Sequence, residues 1–252
     1  LPISIMGSEF IRPINYEEKR GSAQCKSCIM LASLNAPGEM IIKAKKSRDH
    51  TEKIFKNLNI PMKINRSKNF DLIKIQSPKF IKNFDTKIPG DISSSAFFIV
   101  LTLLSKNSKI LLKNININPT RLGVIRILNK MGGKIKFLNT RNNNGEMCAD
   151  IFVQSQNKLR GINCPTSLNS SAIDEFLIIF LAAAKAKGVS YFKNISELNQ
   201  KESPRLEIGS KILKMMGVKV IVTNNSIKIF GNPKLEINKK IIIQKYLKDH
   251  RV

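Results

Sequence analysis

Apolar residues in this chain alternate between two patterns, and the pair occurs three times. In the first pattern a stretch is apolar or small on nearly every side: SAQCKSCIMLASLNAPG (22 to 38), DISSSAFFIVLTLLSKN (91 to 107) and SSAIDEFLIIFLAAAKAKG (170 to 188). In the second, apolar residues recur at helical spacing behind a polar start: SRDHTEKIFKNLNI (47 to 60), NPTRLGVIRILNKMGG (118 to 133) and SPRLEIGSKILKMMGV (203 to 218). The first stretches end 69 and 81 residues apart, and Arg48, Arg121 and Arg205 of the second stretches lie 73 and 84 apart. Two markers drifting together make a repeat, and a period of roughly 70 to 85 residues suits a small α/β subdomain better than a solenoid.

Each second stretch reads as a helix capped by Ser47, Asn118 or Ser203, with Pro119 and Pro204 where a missing N–H costs nothing. Strand-like segments follow at FDLIKIQ (70 to 76), ADIFVQ (149 to 154) and NSIKIFG (225 to 231). The unit is therefore helix, strand, helix, strand. The first helices, AFFIVLTLL (96 to 104) and FLIIFLAAA (176 to 184) among them, are expected to be buried between a sheet and neighbouring helices, and are too short to span a bilayer.

Composition adds little to this picture. The 252 residues, 42% of them hydrophobic, allow one or two domains with a real core. The chain opens on Leu1, already inside a pattern; nothing at its start looks like a signal peptide, and it reads as a fragment. Its net charge of +25 raises nucleic acid as a partner, but the lysines are scattered, Trp is absent and aromatics do not interleave with basic residues. Compositional bias together with an anionic small-molecule substrate explains the charge better. A basic repeat protein binding RNA or acidic partners is the alternative. Cys25 and Cys28 form a C-x-x-C inside the first helix, without the second pair a zinc ribbon needs; core packing is the better reading for them and for Cys148 and Cys164. Two histidines without HExxH or paired Cys/His spacing suggest no metal.

Charged residues gather in the third repeat: Asp174 and Glu175 at the start of an apolar helix, then Glu197, Lys201, Glu202 and Arg205. The plainer readings are a helix-start acid for Asp174 and a solvated helix entry for residues 201 to 205. If the repeats pack alike, helix openings bearing Ser22, Gln24, Ser47, Arg48 and Arg205 can converge on an anion, with carboxylates nearby to serve as acid and base.

Six motifs in order, GSAQCKSCIMLASL, SRDHTE, PGDISSSAFF, NPTRLG, LNQKESPR and DHR (249 to 251), resemble the 3-phosphoshikimate 1-carboxyvinyltransferases, or EPSP synthases, over essentially the whole chain. The motifs of the sister family acting on UDP-N-acetylglucosamine are not seen. The resemblance implies an α/β fold, an inside-out α/β barrel of repeated β-α-β-α-β-β units in two domains. Residues 1–88 would hold the last unit of one domain, and residues 89–252 two units and the start of a further one. It implies a cytoplasmic, monomeric enzyme without cofactor, moving the enolpyruvyl group of phosphoenolpyruvate onto shikimate 3-phosphate, and inactive without the family segments beyond both ends. Position by position, Ser22, Ala23, Ser47 and Lys201 match shikimate 3-phosphate contacts, and Gln24, Arg205 and Arg251 match phosphoenolpyruvate contacts. Asp174 matches the acceptor of the 5-hydroxyl proton, and Glu202 the group handling the methylene proton. Arg48 and Glu197 fall beside or at substrate positions, and His250 near the phosphate. Ala23 replaces a Ser of one branch, Asn199 an Arg and Pro204 an acid.

Overall fold

The strand expected behind each second helix is one arm of a hairpin. In the computed structural model, which describes residues 2–155, 159–236 and 249–252, the chain divides into two units, Leu1–Lys87 with Asn142–Glu146, and Ile88–Arg141 with Met147–Val252.

In the first unit, strand β1 (Asn15–Glu18) leads into helix α1 (Ala23–Ala32), and β2 (Met40–Lys45) into α2 (His50–Asn57); the hairpin β3 (Met62–Arg66) and β4 (Phe70–Ile75) follows. The sheet order is β1-β2-β4-β3, with β1 parallel to β2 and the other pairs antiparallel. Alternation along β2 turns Met40, Ile42 and Ala44 inward and leaves Lys43 and Lys45 outside. Ile42, Ala44, Ile73 and Ile75 of the sheet pack with Met30 of α1 and Phe55 of α2.

The second unit contains the pattern twice. Helix α3 (Ile92–Leu104), β5 (Lys109–Asn116), α4 (Gly123–Lys130) and the hairpin β6 (Lys134–Asn143) and β7 (Glu146–Gln154) make one copy. Helix α5 (Phe176–Ala184), β8 (Gly188–Lys193), α6 (Arg205–Met215) and the hairpin β9 (Val220–Thr223) and β10 (Ser226–Gly231) make the other. Their sheets, β5-β7-β6 and β8-β10-β9, keep the order of β2-β4-β3. In place of β1 each has, among the described residues, only parallel bridges, Gly90 with Ile115 in one, Arg160 with Lys187 and Asn163 with Tyr191 in the other. The sequence repeat is thus a repeat of connectivity. Helix α5 packs against α3, α4 and α6, and Phe176, Phe180 and Phe192 meet with ring centroids 5.2 to 5.8 Å apart.

Several expectations are corrected. Helix α3 is not buried all round, since Phe97, Phe98 and Leu101 are 42%, 55% and 63% exposed. The third apolar stretch becomes helical only at Phe176, so Asp174 lies in the turn before α5. None of the three expected caps closes its helix: the N-cap positions of α2, α4 and α6 fall to Asp49, Leu122 and Pro204, and Asn118 caps only the 3-10 turn Pro119–Arg121 ahead of α4, accepting from the Thr120 N–H at 2.9 Å. Cys25 and Cys28 are exposed, while Cys148 and Cys164 are buried. Burial pushes the Cys164 thiol up to about 11, so it is no ready nucleophile at neutral pH. No described helix is long and apolar enough to cross a membrane.

Candidate active site

In the first unit the geometry follows from two parallel strands. Because β1 and β2 run the same way, the helices that follow them open at the same edge of the sheet. Buried Glu18 at the end of β1 accepts the N–H groups of Arg20 and Gly21 at 2.8 and 2.7 Å, closing a tight turn in which Gly21 takes φ +80°, a conformation that glycine alone adopts without strain. Ser22 then caps α1, its Oγ accepting from the Cys25 N–H at 3.2 Å, and Ala23 and Gln24 form the first turn, where helix N–H groups lack helical partners. The next strand delivers Ser47 and Arg48 into the turn before α2. The two turns adjoin, since a Cβ added to Gly21 would lie 3.6 Å from the Lys46 carbonyl oxygen. Ser47 Oγ is buried and has no hydrogen-bond partner among the described residues.

In the second unit the site is built on Arg205, the first residue of α6, only 2% exposed. Its guanidinium donates Nη1–H to Asp174 Oδ1 at 3.1 Å, Nη2–H to Glu202 Oε2 at 2.7 Å, and a fork of Nε–H and Nη2–H to the two oxygens of Asp249 at 2.8 and 3.2 Å. Asp249 also accepts the Ser203 hydroxyl at 2.7 Å and the Arg251 N–H at 3.0 Å. Burial pushes the Asp249 pKa up, but the Arg205 hydrogen bond, then the Arg251 N–H and the Ser203 hydroxyl, overcome this and hold it at about 2. Burial likewise works to lower the Arg205 pKa, and the hydrogen bonds and charge of Asp249 and then Asp174 raise it on balance. Helix α6 opens with help from upstream: Asn199 Oδ1 accepts the N–H groups of Leu206 and Glu207 at 3.1 and 3.3 Å. We expect Asn199→Ala to cost about 1 kcal/mol of stability, as the loss of a helix cap does, read as a lower denaturation midpoint, with Asn199→Asp close to wild type.

The arginine at the matching place in the preceding repeat is differently employed. Arg121 pairs with Asp91 Oδ1 at 2.8 Å and donates to Ser93 Oγ at 2.5 Å, and the Ser93 hydroxyl donates to buried Glu175. Burial raises the Asp91 pKa, but the Arg121 charge and the Ser94 N–H hold it below the usual carboxylate range.

A family profile for EPSP synthase (3-phosphoshikimate 1-carboxyvinyltransferase) matches residues 1–252. The chain belongs to the EPSP synthase family. A 3-phosphoshikimate 1-carboxyvinyltransferase of Ruthia magnifica is 39% identical over 253 aligned positions, covering all of this chain and 56% of that protein. One of Thermodesulfovibrio yellowstonii is 40% identical, covering all of this chain and 57% of its own length. The crystallised EPSP synthase of Acinetobacter baumannii superposes with a TM-score of 0.80 at 35% identity, over 89% of this chain and 50% of that one. The enolpyruvyl transferase NikO of Streptomyces tendae, 14% identical with a TM-score of 0.64, shares the mixed α/β fold. The chain thus spans a little over half the length of the EPSP synthases it matches.

Set beside the residues expected for an EPSP synthase, the second unit gathers Asp174, Glu202 and Arg205 in direct contact, with the Arg251 backbone held through Asp249. Lys201 and Glu197 pair with each other at 3.0 Å, and His250 is exposed. The first unit gathers Ser22, Ala23, Gln24, Ser47 and Arg48 at one sheet edge. Asp249, Ser203 and Asn199 were not foreseen as site-builders. Asp249 carries a signal, standing in the DHR motif beside Arg251 and His250; Asn199 is marked only as replacing an Arg of the family, and Ser203 only as a helix start.

Proposed function

We propose that this chain is part of an enzyme that transfers the enolpyruvyl group of phosphoenolpyruvate to the 5-hydroxyl of shikimate 3-phosphate and releases phosphate. The observation that carries this reading is the Arg205 centre, which presents Asp174 and Glu202 on one buried, permanently charged guanidinium. A cation that grips an anionic substrate and holds two carboxylates beside it suits a reaction needing an acid and a base together.

The 5-hydroxyl oxygen bonds to C2 of phosphoenolpyruvate as its proton passes to Asp174, while Glu202 delivers a proton to C3; the product is a tetrahedral phospho-ketal. Glu202 then takes a proton back from C3, the C–H electrons form the C2=C3 bond, and the C2–O bond to phosphate breaks. The departing phosphate recovers the proton from Asp174. Arg205, Gln24 and Arg251 bind phosphoenolpyruvate in this reading, and Ser22, Ala23, Ser47 and Lys201 bind shikimate 3-phosphate, with Arg48, Glu197 and His250 at or beside them. The buried, unpartnered Ser47 hydroxyl beside the first turn of α1 supports an anion there, since a desolvated donor without a partner is costly unless a ligand uses it.

The proposal extends to the architecture: an inside-out α/β barrel in two domains, residues 1–88 the last unit of one and 89–252 part of the other, in a cytoplasmic monomer. The test is a phosphate-release assay on the full-length protein with both substrates, the product followed by mass. Release that requires both substrates and yields the enol ether is expected; a folded protein that releases none would overturn the reading.

A further inference from the structure

We propose that Lys26 is a positioning residue for the shikimate 3-phosphate part of the site, holding the Ser47–Arg48 turn in place from inside the first unit. The proposal rests on the enolpyruvyl-transfer reading above. Lys26 is the one charged residue of α1 and is 2% exposed, which lysine tolerates only when paired. Its ammonium reaches out of α1 to two places: Glu52 Oε1 in α2 at 2.5 Å and the backbone carbonyl of Arg48 at 2.7 Å. Ser27 and Thr51 share a hydroxyl hydrogen bond of 2.6 Å beside it. Lys26 therefore ties the helix that opens with Ser22, Ala23 and Gln24 to the backbone next to Ser47.

Stability alone is a poor reason for this arrangement. A buried ion pair contributes little over an apolar pair of similar volume, and Glu52 Oε2 is buried without a hydrogen-bond partner among the described residues, a further cost. What an apolar pair cannot do is donate to the Arg48 carbonyl. The Lys26 contact fixes the Arg48–Asp49 peptide, and so where the Arg48 side chain begins, one residue beyond Ser47, and binding contacts lose most of their worth when displaced by about 1 Å. Lys26 is enclosed by protein, so it acts through that turn.

Two variants of the full-length protein separate positioning from stability. Lys26→Met/Glu52→Leu replaces the ion pair by an apolar pair; it is expected to melt near wild type yet raise the Kd and KM for shikimate 3-phosphate ~10-fold, the loss of one charge-assisted contact. Its kcat at saturation and its KM for phosphoenolpyruvate should change less. Glu52→Gln keeps the Lys26 donor but strands its charge; it should lose stability while holding shikimate 3-phosphate within about twofold of wild type, because the bond to Arg48 remains. Hydrogen exchange without ligand should be faster than wild type at residues 47 to 50 in the double variant only. The proposal is overturned by wild-type affinity in a stable double variant, by affinity that tracks melting temperature across both variants, or by unchanged exchange at 47 to 50. Should the double variant not fold, the outcome rests on Glu52→Gln, where lost affinity would refute positioning. A wild-type protein that neither binds nor turns over shikimate 3-phosphate fails the underlying reading instead, and the exchange comparison still reports whether Lys26 holds the turn.

Discussion

In the full-length protein, Asp174→Asn and Glu202→Gln are each expected to cut kcat by ~10² or more while leaving the affinity for both substrates within several-fold, because proton-transfer groups act mainly in the transition state. The structure makes these clean substitutions. Each amide keeps the shape of the acid and an oxygen for Arg205, and Asp249 continues to hold the guanidinium through its fork. Steady-state kinetics with each substrate varied in turn is the measurement. Wild-type kcat in both variants would remove the acid–base assignment and leave the family membership standing.

Arg205→Ala should fail differently and more broadly. It removes the cation assigned to phosphoenolpyruvate, so the KM for that substrate should rise as kcat falls, while binding of shikimate 3-phosphate alone changes less. It also leaves Asp249, whose side chain is fully buried, with the Ser203 hydroxyl and the Arg251 N–H to hold its charge. Breaking a buried ion pair from one side costs roughly 3 to 5 kcal/mol, so a marked fall in melting temperature should accompany the kinetic defect. Arg205→Lys should restore part of the charge but not the planar fork that reaches Asp249 through two nitrogens, and is expected to recover stability only partly. An Arg205→Ala variant with unchanged stability and unchanged phosphoenolpyruvate kinetics would refute both roles.

The repeat was legible because its signal is carried by long apolar helices and by arginines at fixed places, features that survive without any knowledge of contacts. The strands β3, β6 and β9 were not legible. Strand β6 is exposed along most of its length, so the in–out alternation that a half-buried strand displays is confined in KIKFLNTRNN to its first four residues. The caps were misplaced for a related reason: a serine before a helix is a local cue, whereas α6 is capped by Asn199 from six residues upstream of the helix and Ser203 is spent on Asp249. Of the site, the helix openings and the charged stretch of the third repeat could be read from residue types alone. Asp249 is marked only by the DHR motif, and its role is not, because its partner Arg205 stands 44 residues away and only the fold joins them. Lys26 stands inside an apolar helix, and a lone charge in such a place is itself the clue to its role.

Because the repeats share one connectivity, the molecule carries its own control experiment. Arg121 and Arg205 stand at the openings of corresponding helices in successive copies, Arg121 in the 3-10 turn just before α4 and Arg205 as the first residue of α6, and each is tied to a carboxylate from the start of its own copy, Asp91 for one and Asp174 for the other. A kinetic defect that appears equally on truncating either arginine would report damage to the scaffold they have in common. One confined to Arg205 would mark the point at which duplicated copies parted ways, one arginine kept as a brace and the other turned over to chemistry.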